Sequence, residues 1–493
     1  MNKKIPISKI PCAWTIAGSD SSSCSGIQAD LKTFHSMGVH GCSIVTAVTA
    51  QGINTFDSAH YIPIENIIAQ IHSLQGDLLP KSIKIGMLGH ATTIKELIRF
   101  LHSYHNPVIL DPLLISSSGK QLFSGNIANY LTELKNLFPL VDILTPNLPE
   151  VEMLLGRSVQ TYQDMIHATN TLLSLGIKNI VVKGGHFTND RFSQDFWTNG
   201  NDSFWLTSSR YSQANYRGTG CTFSTAIAAS LALGYEIKDA IVIAKMVINQ
   251  AIRLAQKSQS ENRLVYAGWP ENEADLPYLT PMPLTTAPIS FPHCGSEPLG
   301  LYPVVDNVEW LKKLLPLGVK TIQLRIKNKC GEELAREIQQ GVQLANQYHA
   351  KLFINDYWQL AIRYHAYGVH LGQEDLTSAN VNNIRQAGLR LGISTHCYYE
   401  VARAHTYKPS YIACGPIFPT TSKTMSFAPQ GIENLQRWRR TLSYPLVAIG
   451  GINHEKLADV IATKVDGIAM ISAITQAKDI TVTMKELLQK VNS

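Results

Sequence analysis

Residues 352–375 read LFINDYWQLAIRYHAYGVHLGQED, and their pattern decides the fold of the C-terminal half. Two short apolar runs, LFI and GVHL, end in polar tips, Asn355-Asp356 and Gln373-Glu374-Asp375, with room for one helix between them. Two strands joined by a helical crossover run parallel, so both tips emerge on one edge of the sheet. Parallel-strand proteins place their chemistry at that edge. Asp356 and Asp375 are therefore expected to converge on one hard cation such as Mg²⁺, which prefers carboxylate oxygens and commonly also holds substrate phosphates. Either acid alone reads better as a helix cap, and for the pair the two readings are evenly balanced. The loops around them decide between the two.

Working outward, strand candidates recur through this half: LYPVV, TIQLRI, KLFI, GVHL, RLGIS, YIACGPIF, LVAIG and GIAMI. Amphipathic segments such as CGEELAREIQQGVQLANQY lie between most of them. Eight β units with intervening helices predict a (β/α)₈ TIM barrel. Its strand tips are chemically alike. Alternation puts Gln323, Arg325 and Lys327 on one face after the second strand, where Arg and Lys suit a diphosphate. The fifth strand ends in Ser394-Thr395-His396, and the sixth opens into GPIFPTTSKTM, with hydroxyls at Thr420, Thr421 and Ser422 and a cation at Lys423. Gly450-Gly451 follows the seventh strand and Ile471-Ser472 the eighth, where this fold usually cradles phosphate.

Length and composition set the frame. A chain of 493 residues exceeds one core and predicts two or three domains. With 45% hydrophobic and 16% charged residues it reads as an ordinary globular protein rather than a disordered one. A net charge of +6 without any dense Lys/Arg block disfavours nucleic-acid binding. No run reaches the roughly 20 apolar residues of a membrane span, and the N-terminus lacks the apolar stretch of a signal peptide. Eight scattered cysteines without a CxxC pair suit reduced thiols and a cytoplasmic setting. Seven prolines between positions 270 and 298 mark a linker. The expected division is 1–270, a Pro-rich linker at 271–297, and 298–493, with two α/β domains flanking the linker. A homo-oligomer is left open.

The C-terminal half resembles thiamine-phosphate synthase through QLRIK, INDYWQLA, GVHLGQEDL, GISTH, GPIFPTTSK, AIGGI and DGIAMISAI, in family order. The resemblance implies that Gln323, Arg325, Lys327, Asn355 and Lys423 hold a hydroxymethylpyrimidine diphosphate. It implies Mg²⁺ at Asp356 and Asp375, and Ser394 beside the pyrimidine. Thr420, Thr421, Ser422, Gly451, Ile471 and Ser472 would receive a thiazole phosphate. One departure is Tyr367, where the family commonly carries Asp; its place before the strand predicts an effect on packing.

In the N-terminal half, residues 217–234 read RGTGCTFSTAIAASLALG. Gly218, Thr219 and Gly220 form a tight turn into an Ala-rich helix, whose free N–H groups make an anion site. Cys221 stands at that start, where the helix dipole is expected to lower its thiol pKa. Asn147 and Glu150 in LTPNLPE are spaced to face a hydrated Mg²⁺. VILDP puts Asp111 at a strand tip and VVK ends in Lys183, while Asp20 and Asp30 border the loop of AGSDSSSCSGIQAD. No GxxxxGK[ST] occurs, which excludes a P-loop kinase.

Together AGSD, GIQADLKT, GCSIVTAVTAQ, KIGMLG, LDP, TPNLPE, KGGH and GTGCT resemble the hydroxymethylpyrimidine/phosphomethylpyrimidine kinases of the ribokinase-like fold. The resemblance implies two ATP-dependent phosphorylations of a pyrimidine alcohol, with Gln51, Met87 and the Asp30 region at the pyrimidine. Cys221 would be the catalytic base and the Gly218–Gly220 amides an anion hole. Asp111, Asn147, Glu150 and Lys183 would serve ATP and Mg²⁺. Three departures stand out. Ser23 and Cys24 replace two glycines, Ser117 replaces a lysine, and Arg217 offers a cation where His is common. The whole chain then reads as a bifunctional enzyme acting on hydroxymethylpyrimidine, ATP and thiazole phosphate. Two alternatives for the first half remain, a non-catalytic pyrimidine-binding module and a pyridoxal kinase.

Overall fold

The computed structural model describes residues 10–53, 55–115, 120–185, 187, 191–211, 216–257, 263–420 and 428–492. The chain divides into two compact units, Met1–Pro270 with Ala274–Thr285, and Glu271–Glu273 with Thr286–Ser493.

The first unit is built on a ten-stranded sheet. Its strands are β1 (Cys12–Asp20), β2 (His40–Gln51), β3 (Phe56–Tyr61), β4 (Ile83–Ile85), β5 (Val108–Leu110), β6 (Ile143–Leu144), β7 (Asn179–Val182), β8 (Phe192–Thr198), β9 (Ser203–Ser209) and β10 (Tyr278–Thr280). The order β10-β9-β8-β7-β6-β5-β4-β1-β2-β3 places six mutually parallel strands, β2, β1, β4, β5, β6 and β7, side by side. Their sequences are short apolar runs because helices cover both faces; Trp14, Ile16, Ile44, Ile85, Leu110 and Val182 all join one core. A register shift at Ala17/Gly18 marks the end of β1, just before its polar tip.

The Pro-rich segment is not wholly a linker. Tyr278–Thr280 pairs antiparallel with β9. Leu284 exchanges two hydrogen bonds with the Gln194 side chain, and Arg253 grips Asp275 in a fork at 2.6 and 2.7 Å. Composition dominated by proline concealed this edge strand, because edges are where sheets tolerate proline.

The second unit closes into a barrel of eight parallel strands: β11 (Gly300–Val305), β12 (Thr321–Leu324), β13 (Lys351–Asn355), β14 (Gly368–Leu371), β15 (Arg390–Thr395), β16 (Tyr411–Cys414), β17 (Leu446–Ile449) and β18 (Gly467–Met470). The eight β units expected from sequence are these eight. Tyr302, Val304, Phe353, Tyr411, Ala413, Val447 and Ala469 fill the interior. Tyr367 explains itself at the amino-terminal end of the barrel: its hydroxyl donates to the Cys294 carbonyl at 2.9 Å, and Arg390 sits over its ring. The substitution there serves packing.

One buried group on the outside of the barrel reports on its stability. His405, in the helix Tyr398–Tyr407, bonds Tyr444 through Nδ1 at 3.0 Å and lies 3.4 Å from the Lys408 ammonium. Burial, then the Lys408 charge, holds its pKa well below the ordinary value. The unfolded chain therefore takes up a proton near pH 6.5 that the folded barrel refuses, and stability falls as pH drops below that value. His405→Gln should flatten the slope of unfolding free energy of the second unit between pH 7 and 5 by up to about 1.4 kcal/mol per pH unit, read by urea titration at each pH. An unaltered slope would show that His405 already carries its proton in the fold.

Candidate active sites

In the first unit, six parallel strands deliver their carboxyl ends to one edge. Asp111 follows β5 and Lys183 follows β7, and Lys183 Nζ meets Asp111 Oδ1 at 2.8 Å. Gly220 lies against both: a Cβ there would stand 3.0 Å from Lys183 Nζ and 3.5 Å from Asp111 Oδ2. Asn147 and Glu150 form a reciprocal capping box on the helix Leu148–Leu155. The Asn147 side-chain oxygen accepts one hydrogen bond there, from the Glu150 N–H, and Glu150 Oε2 accepts from the Asn147 N–H. Among the described residues, two buried carboxylate oxygens, Asp111 Oδ2 and Glu150 Oε1, have no hydrogen-bond partner. Burial pushes Glu150 up to about 8, against the pull of Lys183. Burial would depress Lys183, but Asp111 and Glu150 outweigh it and hold its pKa high. Two orphaned acceptors beside a cation fit a hydrated Mg²⁺ shared with phosphate oxygens.

Gly218 caps the helix Thr219–Ala232 with φ +79°, and a Cβ on it would fall 2.0 Å from the Cys24 carbonyl oxygen. This glycine is required both by its left-handed backbone and by that contact. Cys221 follows in the first turn, 4% exposed. Its thiol is pushed up to about 11, chiefly by burial, with Lys84 opposing and Asp30 and Asp111 adding to the rise. The expectation of a lowered pKa is corrected: desolvation of a buried thiolate exceeds what the helix start returns.

Asp30 is also corrected. It is 0% exposed, and its carboxylate is filled by Thr15 at 2.6 Å, Lys84 at 2.8 Å and Thr225 at 2.7 Å. It fastens β1, β4 and the Cys221 helix together, buried beneath the surface. The signal that could have revealed this is Lys84, a charge in the middle of the otherwise apolar run IKI. Met87 packs with Ala47, Phe56 and Leu122 in a small separate cluster. Gln51 ends β2, and with its amide oxygen turned to Arg217 it accepts from that guanidinium. Arg217 also donates to the carbonyls of Gly52 and Ile53 at 2.6 and 2.8 Å, so it braces the Gln51 loop instead of facing phosphate. Ser117 lies outside the described residues.

The SSSCSG loop hangs on Asp20, which accepts from the Ser22 and Ser25 backbone N–H groups at 2.8 Å and from both hydroxyls. Ser23, where the kinase resemblance leads one to expect glycine, takes φ +59°. That conformation costs a side chain about 1–2 kcal/mol, partly offset by glycine's greater freedom when unfolded. Ser23→Gly should therefore stabilise the first unit by about 0.5–1 kcal/mol in urea unfolding; a lower midpoint would contradict the strain.

In the second unit the strand tips converge likewise. Asp356 directly follows β13 with φ +66°, a strained position for a non-glycine residue of the kind found at functional sites. Asp375 opens the turn after β14, and its pKa is raised by partial burial and then by the charge and hydrogen bond of Asp356. The two carboxyl groups are therefore neighbours on one end of the barrel. Lys327 Nζ contacts Asp356 at 2.5 Å. The Arg325 backbone N–H donates to the Val305 carbonyl at 2.7 Å, while its guanidinium makes no hydrogen bond or ion pair among the described residues and, like Asp356, lies near His370. Asn355 ends β13, and Gln323 and Ser394 are buried and half-buried at the ends of β12 and β15. Two adjacent carboxylates with a free cation beside them fit Mg²⁺ and a phosphate-bearing ligand. No cluster of three or more potential metal-binding side chains occurs among the described residues. Water and ligand oxygens would complete either site.

Gly450 and Gly451 both have positive φ, and a Cβ on Gly451 would meet the Pro419 carbonyl oxygen at 2.5 Å. Phe418 N–H bonds the Gly450 carbonyl at 3.0 Å, which brings the β16 and β17 loops together. Thr420 lies in that β16 loop, and Ile471 precedes the short helix Ser472–Thr475 after β18. Thr421, Ser422 and Lys423 lie outside the described residues. Three interior groups escaped the sequence reading: His370, Tyr302 and Tyr411. Each sits inside an apolar strand, where polar residues usually read as chance interruptions.

These two edges define a kinase-like α/β unit and a phosphate-handling barrel synthase. Residues 20–265 match the family model for phosphomethylpyrimidine kinase, and residues 301–474 match that for thiamine monophosphate synthase. The thiamine-phosphate synthase of Photorhabdus laumondii is 59% identical over 182 residues, 37% of this chain and 84% of the relative. That of Proteus mirabilis is 54% identical over 195 residues, 39% of this chain and 91% of the relative. Among solved structures, the phosphomethylpyrimidine kinase of Clostridium difficile 630 is 36% identical, with TM-score 0.43, covering 50% of this chain and all of that one. The chain belongs to the thiamine-phosphate synthase family, and the segment ahead of the synthase barrel matches the phosphomethylpyrimidine kinase family. Among the described residues no helix is long and apolar enough to cross a membrane.

Proposed function

We propose that the first unit phosphorylates hydroxymethylpyrimidine twice from ATP, and that the second joins the resulting diphosphate to thiazole phosphate, giving thiamine phosphate and pyrophosphate. The observation that carries this reading is the Arg325 guanidinium, unpaired among the described residues, near the adjoining Asp356 and Asp375 carboxyls at the barrel mouth. Such a mouth suits a diphosphate with a divalent ion, and the first unit's chemistry supplies one.

In the kinase, the backbone N–H groups at the start of Thr219–Ala232 and the Lys183 ammonium would hold the transferring phosphoryl group. The substrate oxygen bonds to phosphorus as the bond to the leaving ADP oxygen breaks, and Cys221 takes the hydroxyl proton. Asp111 and Glu150 would hold Mg²⁺, which when bound neutralises charge on the phosphate oxygens. Gln51 and the Met87 cluster would seat the pyrimidine. Because the thiol is pushed up to about 11, its thiolate is scarce at neutral pH. Phosphorylation should therefore speed up as pH rises from 6.5 to 8.5, by up to about tenfold per unit, and Cys221→Ala should remove most activity while sparing synthase turnover of supplied diphosphate. A flat profile in the native enzyme would remove Cys221 from the role of base.

In the synthase, Arg325 and Lys327 would bind the diphosphate, with Lys327 exchanging its Asp356 contact for phosphate. Asn355 and Lys423 would assist, and Asp356 and Asp375 would hold Mg²⁺. The C–O bond to pyrophosphate breaks with its electron pair leaving on oxygen, and the pyrimidine bears the cation. The thiazole nitrogen then donates its lone pair to that carbon, so no proton transfer is needed. The loops carrying Thr420, Thr421, Ser422, Gly451, Ile471 and Ser472 would place the thiazole phosphate. Asp356→Ala should lower synthase kcat/KM by about a hundredfold or more with kinase activity intact. Product analysis after incubation with both substrates measures this, and normal coupling would refute the assignment.

A further inference from the structure

Five side chains from five different strands form one unbroken hydrogen-bonded line across the barrel interior. Gln323 Nε2 lies 3.4 Å from Tyr302 Oη, and Tyr302 Oη lies 2.9 Å from Tyr411 Oη. Tyr411 Oη lies 2.7 Å from His370 Nδ1, and His370 Nε2 lies 2.7 Å from Ser394 Oγ. Tyr302 and Tyr411 are 1% and 0% exposed. Gly392 makes room for the line, because a Cβ there would collide with the Tyr411 ring at 2.1 Å. The two ends, Gln323 and Ser394, are the side chains already placed at the ligand.

Each phenol owns one proton, and a neutral imidazole owns one, so donors and acceptors along the line cannot be chosen independently. Gln323 turns its NH₂ to Tyr302, and an amide NH₂ only donates. Tyr302 must then donate to Tyr411, and Tyr411 to His370 Nδ1. Imidazole buried among hydroxyls stays neutral, which leaves its proton on Nε2, facing Ser394. The Ser394 hydroxyl is thereby filled as an acceptor, and its own proton is left to donate outward. At the other end Gln323 Oε1 has no partner among the described residues and is left to accept.

We propose that this line is a directional wire that fixes Gln323 as an acceptor and Ser394 as a donor, so that the barrel selects an aminopyrimidine over its oxo counterpart. The inference rests on the synthase reading above. An aminopyrimidine offers an amine N–H to Gln323 and a bare ring nitrogen to Ser394. Its oxo counterpart offers a carbonyl oxygen and a ring N–H, inverting both. A site with fixed polarity then leaves buried groups unpaired, the strongest means of rejection open to it. Tyr302, Tyr411 and His370 are positioning residues that act only through the two ends.

The test uses the full-length protein labelled with ¹⁵N-histidine, with the His370 signal identified by its absence in His370→Asn. Native His370 should show the Nε2–H tautomer alone, and Gln323→Leu, which deletes the donor that sets the direction, should give a mixture of tautomers. In Tyr411→Phe the kcat/KM preference for the aminopyrimidine diphosphate over its oxo analogue should fall by about tenfold or more. A native Nδ1–H tautomer, a tautomer indifferent to Gln323→Leu, or an unchanged preference in Tyr411→Phe would each overturn the wire. Should Tyr411→Phe fail to fold, the Gln323→Leu tautomer decides alone. Failure of the native protein to make thiamine phosphate would instead strike the synthase reading, leaving the tautomer result standing by itself.

Discussion

Parallel pairing is the constraint from which both active edges follow. A strand that returns through a helix can only enter its sheet pointing the way its neighbour points. Asp111, Asn147 and Lys183 therefore share one rim although they lie up to 72 residues apart. The same rule gathers Arg325, Asp356 and Asp375 at the mouth of the closed barrel. Once the tips are collected, burial makes their charges matter. Lys183 sits against two carboxylates in the first unit and Lys327 against Asp356 in the second, and each pairing leaves an arrangement a phosphate and a divalent ion can complete.

Much of this could be read from residue order. The eight apolar runs of the second half map onto eight strands because a barrel strand is buried on both faces and shows as a short, unbroken hydrophobic run. The paired tips at Asp356 and Asp375 followed from the same argument. What could not be read are effects of depth. Asp30 sits beside the loop of the first site in sequence, yet the structure spends it beneath the surface on Lys84, Thr15 and Thr225. Cys221 occupies a helix start that suggests an acidic thiol, but the Ala-rich helix is itself buried and the solvation lost is larger. The polar line through Tyr302, Tyr411 and His370 joins residues from three separate strands, and no local pattern marks such a set.

The departures from related sequences sort by location. Tyr367 is absorbed in packing at the end of the barrel away from the strand tips, where its phenol bonds the Cys294 carbonyl under Arg390. Arg217 is absorbed as a brace, tied to the loop after Gln51. Ser23 remains as strain, held because Asp20 fixes the backbone on both sides of it. Conformational cost of this kind persists only where neighbouring contacts over-determine the loop.

The edge strand at Tyr278–Thr280 decides how the protein can be divided. A fragment ended where the prolines begin would lose the strand that covers β9 and the carboxylate that neutralises Arg253, exposing a row of unpaired backbone groups. Bare edges of that sort recruit other chains and precipitate. Anyone wishing to produce the kinase half alone should therefore keep the chain through Thr285, a stop codon some fifteen residues beyond the one composition suggests.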